Sequence, residues 1–162
     1  MLVGAGIGVT PFASILKTLA IQAKQDRLET PLRKVAFYWV CRDEKEFETF
    51  RDLLVGIVDD RAIASIFELN TYITGELDLK KAVQQKQYGY NQFAGRPDWN
   101  RIGRELRKEY PESDVGVFLC GPNAIGQQLQ GMCNKYNPPK KQREGQRKAL
   151  KLPRFYFHKE TF

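Results

Sequence analysis

The sequence is poor in the residues that most often carry acid–base and metal chemistry. Histidine occurs once, as His158. It lies in a strand-like run and reads as an ordinary strand residue, which leaves a Ser-His-Asp or Cys-His set without its base. Three cysteines, Cys41, Cys120 and Cys133, are an odd number with no C-x-x-C spacing, so neither a zinc site nor a disulfide scaffold is expected. A reducing compartment follows. No apolar run is long enough for a bilayer-crossing helix. The opening Met1-Leu2-Val3 leads straight into glycines, with no signal-peptide pattern. Aromatic residues do not interleave with the basic clusters, which argues against nucleic-acid binding.

What remains is the composition of one globular domain: 162 residues, 42% hydrophobic, enough for an ordinary core. The formal charge of +7 is concentrated. Lys140, Lys141, Arg143, Arg147, Lys148 and Lys151 stand against Glu144 alone, a net +5 in one stretch. This basic insertion, residues 138–153, reads first as a solvated loop and otherwise as a patch for a regulatory partner or an anionic lipid.

Along the chain, apolar strand-like runs alternate with helical periodicity. The run ending at Gly4 reads as a buried parallel strand. Thr10 is placed to cap the helix that follows and Pro11 suits its first turn; Phe12, Ile15, Leu16 and Leu19 form its inward face. Val35–Cys41 is a second strand, and Asp43 with Glu46 makes a capping box for a helix burying Phe47, Phe50, Leu54 and Val58. Ile66–Thr74 is a third strand. Residues 75–97 read as irregular, with a short helix expected at Leu77–Gln85. Asp98 caps a helix with Trp99, Ile102 and Leu106 inward. Val115–Cys120 is a fourth strand, followed by a helix bearing Ile125, Leu129 and Met132. Arg154–His158 is the fifth. The order implies an α/β fold with a doubly wound five-stranded parallel sheet and helices on both faces.

In such sheets ligands bind beyond the carboxyl ends of the strands. Three loops there carry signals. In Gly4-Ala5-Gly6-Ile7-Gly8-Val9-Thr10-Pro11, glycines let a pyrophosphate approach and the helix start offers N–H donors, although Val9 stands where a third fingerprint glycine would be. A glycine turn of this kind serves as readily as a plain tight turn. At the second loop, Arg42 suits a ribose 2′-phosphate, with a solvated arginine as the alternative; Asp43 has its capping role. In the third, Cys120-Gly121-Pro122, the glycine leaves room for a flat ring, while the cysteine by itself reads as a small hydrophobe. The acidic residues Glu44, Glu46, Glu48, Asp59 and Asp60 read as helix-face charges.

Gly4–Phe12, the Tyr38–Asp43 stretch, Gly95-Arg96-Pro97-Asp98-Trp99, Gly116–Pro122 and Phe157–Phe162 occur in that order. Together they resemble the NADPH-binding subdomain of the NADPH oxidases, relatives of the ferredoxin–NADP reductases, over nearly the whole chain. The resemblance implies that Gly6, Ile7, Gly8, Val9, Thr10 and Pro11 cradle the pyrophosphate. Arg42 and Arg96 would bracket the adenosine 2′-phosphate, with Thr74 close to the cofactor. Cys120, Gly121 and Pro122 would flank the nicotinamide, and Phe162 would stack on the flavin and swing aside before hydride moves. It implies NADPH here, and FAD and haem elsewhere in an intact membrane protein whose 1–162 portion faces the cytosol. The flavin-binding subdomain would be the partner. A ferric-chelate reductase, which shares the glycine loop and the Cys-Gly-Pro end, is the second reading; a regulatory nucleotide-binding module is the third.

Overall fold

Parallel strands buried on both faces need near-continuous apolar runs, and Val35–Cys41 supplies one: all but one of its residues are buried. In the computed structural model, residues 1–25, 27, 32–58, 64–75, 90–138 and 152–160 are described. The chain divides into two compact units, Met1–Arg96 and Pro97–Phe162.

The first unit contains β1 (Leu2–Ala5), α1 (Val9–Lys24), β2 (Val35–Cys41), α2 (Glu44–Val58), β3 (Phe67–Ile73) and β4 (Asn91–Ala94). Its strands run in the order β4-β3-β2-β1, and every pairing is parallel. Phe12, Ala13, Leu16 and Ala20 form the buried stripe of α1. Ile15, expected inward, is 45% exposed. At about 100° per residue Ile15 falls roughly 120° from the centre of that stripe, and two alanines take the inward positions instead. On α2, Phe47 and Leu54 are buried as expected. Trp39 of β2 meets Phe47 and Phe50 at ring-centroid distances of 5.5 and 5.9 Å. The side chain of Val58 lies outside the described residues.

Among the described residues the expected five strands become six. β4 lies in the stretch read as irregular and pairs with β3 from Asn70↔Asn91 to Ile73↔Ala94. Four residues with one large apolar side chain give no strand periodicity. Side-chain bonds secure the strand instead: Asn91 Nδ2 donates to Asn70 Oδ1 (3.0 Å), and Thr71 Oγ1 donates to the Asn91 carbonyl (3.2 Å). The helix expected at Leu77–Gln85 lies outside the described residues.

The second unit holds α3 (Trp99–Glu109), β5 (Val115–Cys120), α4 (Asn123–Tyr136) and β6 (Phe155–Glu160), with β5 and β6 parallel. Asp98 caps α3, its Oδ1 accepting from the Arg101 N–H at 3.0 Å. Trp99 and Ile102 are buried, as expected. Helices α3 and α4 are joined where Tyr136 Oη donates to the Asn100 carbonyl (2.8 Å). The flanks of the basic insertion are clasped. Phe155 N–H donates to Asn137 Oδ1 (2.7 Å), and Asn137 Nδ2 donates to the Phe155 carbonyl (3.0 Å). The six basic side chains of the insertion lie outside the described residues.

Candidate functional site

Because the strands of the first unit are parallel, their carboxyl ends fall on one side. The register pairs Ala5 with Val40, Cys41 with Ile73, and Ile73 with Ala94. The segments that leave these ends therefore stand in a row: the glycine turn, Cys41–Asp43, Thr74-Gly75 and Gly95-Arg96.

The glycine turn differs from expectation in one respect. Gly6–Gly8 form a single 3₁₀ turn, and α1 then starts at Val9 with Gly8 as its N-cap and no side-chain cap. Thr10, expected as the cap, lies inside the first turn, and its hydroxyl donates back to the Ile7 carbonyl at 3.0 Å. The extra turn starts the helix early. No side chain answers this helix start; the Val9 N–H donates to the Gly6 and Ile7 carbonyls and Pro11 has no N–H, so the turn Gly6–Gly8 is the part suited to an anion. Gly6 has φ +54°, a conformation that L side chains rarely adopt. The turn is held from the next strand, where the fully buried Trp39 donates its indole N–H to the Gly6 carbonyl at 3.1 Å. Val9 is fully buried, so it offers a ligand only its backbone. Ile7 is 84% exposed.

The start of α2 is closed. Asp43 Oδ1 accepts from the Glu46 N–H (3.0 Å), and Glu46 Oε2 accepts from the Arg42 N–H (2.7 Å). This is the expected capping box, with the Arg42 amide in place of that of Asp43 as the second donor. The carboxylate of Asp43 is thereby engaged, and the exposed Arg42 is left as the cation of this strand end.

Thr74 is locked to the same strand end: its N–H and its hydroxyl both donate to the Cys41 carbonyl, at 3.0 and 3.2 Å. Gly75 N–H donates to the Arg42 carbonyl at 2.8 Å. A methyl group on Gly75 would stand 2.5 Å from that oxygen, so a larger residue forces a shift. Gly95 N–H donates to the Ile73 carbonyl (2.8 Å), which sets the exposed Arg96 beside Thr74. Arg42 and Arg96 thus leave strands on either side of the Thr74 strand, their backbones about 10 Å apart at the usual strand spacing. Beneath them, burial, followed by the charges of Glu46 and Asp43, pushes the Cys41 thiol up to about 12.

In the second unit, Cys120-Gly121-Pro122 follow β5, and Cys120 pairs in register with Glu160. Pro122 is the N-cap of α4; again no side chain caps the helix. Lys159 Nζ donates to the Asn123 side-chain carbonyl. Burial, followed by Glu160, raises the Cys120 thiol, so it stays neutral at pH 7. Phe162 lies outside the described residues. Gly6, Ile7, Gly8, Val9, Thr10, Pro11, Arg42, Thr74 and Arg96 thus belong to one unit, and Cys120, Gly121 and Pro122 to the other.

Two further residues shape the site. Trp39 lies in the Tyr-Trp-Val-Cys-Arg-Asp stretch, yet nothing in a strand pattern says that its N–H reaches a loop. Glu46 is legible as a cap but not as a neighbour of the glycine turn. Of the acidic residues read as helix-face charges, Glu48 pairs with Arg51 at 2.8 Å; Asp59, Asp60 and the side chain of Glu44 lie outside the described residues. Among the described residues no cluster of metal-ligating side chains occurs, and no helix is long and apolar enough to cross a membrane.

A parallel α/β sheet with a glycine turn into an uncapped helix, and cations at the neighbouring strand ends, defines a dinucleotide-binding class. The chain belongs to the family described as the ferric reductase NAD binding domain, whose model matches residues 1–134. It is similar to NADPH oxidase 3 of Rattus norvegicus (34% identical, over 99% of this chain and 29% of that protein). It is also similar to a superoxide-generating NADPH oxidase heavy chain of Dictyostelium discoideum (37%, over 100% of this chain and 31% of that protein). NADPH oxidase 4 of Homo sapiens matches at 36%, over 83% of this chain and 24% of that protein. The chain spans less than a third of the length of these curated relatives.

Proposed function

We propose that the chain is the NADPH-binding half of an NADPH oxidase dehydrogenase region. It presents NADPH for hydride transfer to FAD, from which electrons pass singly through membrane haems to oxygen, giving superoxide or hydrogen peroxide. The observation that carries this reading is the row of strand ends in the first unit. There an uncapped helix start lies one strand from Arg42, which in turn lies beside Thr74 and near Arg96.

The residues fit the cofactor. The turn at Gly6–Gly8, which no side chain caps, would take the diphosphate on its backbone amides. Arg42 and Arg96 would grip the 2′-phosphate by charge-assisted bonds, and the Thr74 hydroxyl would lie between them. By the family resemblance, Cys120, Gly121 and Pro122 flank the nicotinamide. Burial keeps the Cys120 thiol neutral, so that it packs and does not react. Bound in this way, NADPH supplies the hydride; the chain's own residues bind, orient and exclude water. Phe162 is the residue that the same resemblance sets against the flavin. FAD and haem belong to other segments of the intact membrane protein. The flavin-binding subdomain is the partner, and insertion 138–153 is the candidate contact for a regulatory protein or anionic lipid.

Calorimetric titration of the chain tests the reading. It should bind NADPH more tightly than NADH and lose that preference in Arg42→Ala and Arg96→Ala. Equal affinities in the wild type would overturn the 2′-phosphate assignment. NADPH consumption by the chain alone should be negligible, and turnover without an added flavoprotein would contradict the reading. The family description also names ferric reductases. In the intact protein, superoxide release set against reduction of a ferric chelate separates the two.

A further inference from the structure

One carboxylate in the first unit reaches from α2 to both phosphate-binding segments. Glu46 Oε2 accepts from the Arg42 N–H at 2.7 Å. Its other oxygen faces the glycine turn: a methyl group on Gly6 would stand 3.6 Å from Oε1, ordinary contact distance. Glu46 thus stands where the turn that would take the diphosphate meets the arginine that would take the 2′-phosphate. The capping box accounts for the bond to Arg42, but not for the second oxygen at the glycine turn. Asp43 already accepts from the Glu46 N–H, and an amide at position 46 would still accept from Arg42, by a weaker bond without the charge.

We propose that Glu46 is a specificity-determining residue of this site, a carboxylate that narrows the difference in affinity between NADPH and NADH; this rests on the nucleotide-site reading above. The two nucleotides share the diphosphate, so its repulsion from Glu46 cancels in their ratio. They differ at the ribose 2′ position. There NADPH carries a phosphate that a nearby carboxylate repels, while NADH carries a hydroxyl that a carboxylate can accept from. Arg42 and Arg96 favour the phosphate and Glu46 opposes them. The site is therefore selective for NADPH to a moderate degree, with part of the attraction offset by its own loop anchor.

The test is titration of the wild-type chain, Glu46→Gln and Glu46→Ala with NADPH and with NADH at low and moderate salt. Glu46→Gln keeps the size and the acceptor for Arg42 and removes the charge. Its NADPH-over-NADH affinity ratio should rise roughly five-fold at low salt, and by less as salt screens the wild-type repulsion. Glu46→Ala should raise the ratio in the same direction while also weakening NADH, through loss of the ribose acceptor. A merely structural role would change both affinities together and leave the ratio fixed. If both nucleotides bind and the ratio is unchanged in both variants, the Glu46 assignment is wrong and the site reading stands. If neither nucleotide binds the wild-type chain, the site reading falls and this assignment with it.

Discussion

Helices α1 and α2 follow neighbouring parallel strands, β1 and β2, yet their starts are built in opposite ways. α2 is closed on itself: the Asp43 carboxylate accepts from the Glu46 amide and the Glu46 carboxylate from the Arg42 amide. α1 has no side-chain cap, a glycine at φ +54° before it, and an indole from the next strand pinning its approach. One helix start carries its own anion; the other is shaped to receive one. The second unit repeats the contrast, with Asp98 closing α3 and no side chain closing α4. Within an α/β unit, the loop that lacks a cap but keeps a rigid scaffold marks the binding end.

Substitutions can break this contrast, and the open helix start should be the most sensitive. Gly6→Val adds a branched side chain at a positive φ, a backbone cost of roughly 1–2 kcal/mol, and projects atoms where the diphosphate would approach. NADPH binding should fall by more than about 30-fold, read by calorimetry alongside a circular dichroism spectrum showing the fold retained. Wild-type affinity in this variant would remove the turn from the site.

Arg42→Ala and Arg96→Ala come next. Each removes charge-assisted bonds typically worth about 1.5–3 kcal/mol, so each should lower NADPH affinity at least about ten-fold and leave NADH within about two-fold. Loss of both affinities in parallel would mean that the arginines shape the loop and do not read the phosphate.

Gly75→Ala tests the scaffold and not the ligand contacts. Its methyl group meets the Arg42 carbonyl at 2.5 Å, and relief of that overlap should destabilise the fold by about 1–3 kcal/mol, measured by urea unfolding. On the closed side, Asp43→Ala should cost about 1 kcal/mol of stability through the lost cap.

The smallest effect concerns the thiol beneath the two arginine strands. Cys41 is pushed from 9.0 to about 12, chiefly by burial. A thiol whose folded value is raised contributes stability that is complete below the unfolded value and declines as pH rises from 9 toward 12. Wild-type stability should therefore fall more steeply over that window than that of Cys41→Ala. The same burial predicts that Cys41 and Cys133, the latter pushed up to about 11, resist alkylation at neutral pH until the chain is unfolded.

Much of this was legible in the residues. Val35–Cys41 and Val115–Cys120 are strands at the expected bounds because buried parallel strands need continuous apolar runs. Asp43 and Asp98 cap as their spacing to the following apolar residues foretold. Three features were hidden for identifiable reasons. β4 has four residues, held by the side chains of Asn91 and Thr71, with no hydrophobic period to signal it. Ile15 was placed inward on a face drawn through the large apolar residues, whereas the buried stripe runs through Ala13 and Ala20. The Thr10 hydroxyl donates back to the Ile7 carbonyl because the 3₁₀ turn starts α1 before it, at Val9. The roles of Trp39 and Glu46 are tertiary, set by contacts between neighbouring strand ends, and local pattern does not carry them.

The central claim is that the carboxyl ends of β1 to β4 form the seat of the phosphorylated nucleotide. Amide chemical-shift mapping of the labelled chain with NADPH tests it most directly. The account predicts perturbations concentrated at Gly6–Thr10, Arg42, Thr74-Gly75 and Gly95-Arg96, with those at Arg42 and Arg96 reduced when NADH replaces NADPH. Saturating NADPH that leaves these amides unmoved, or that shifts only residues remote from those strand ends, would contradict it.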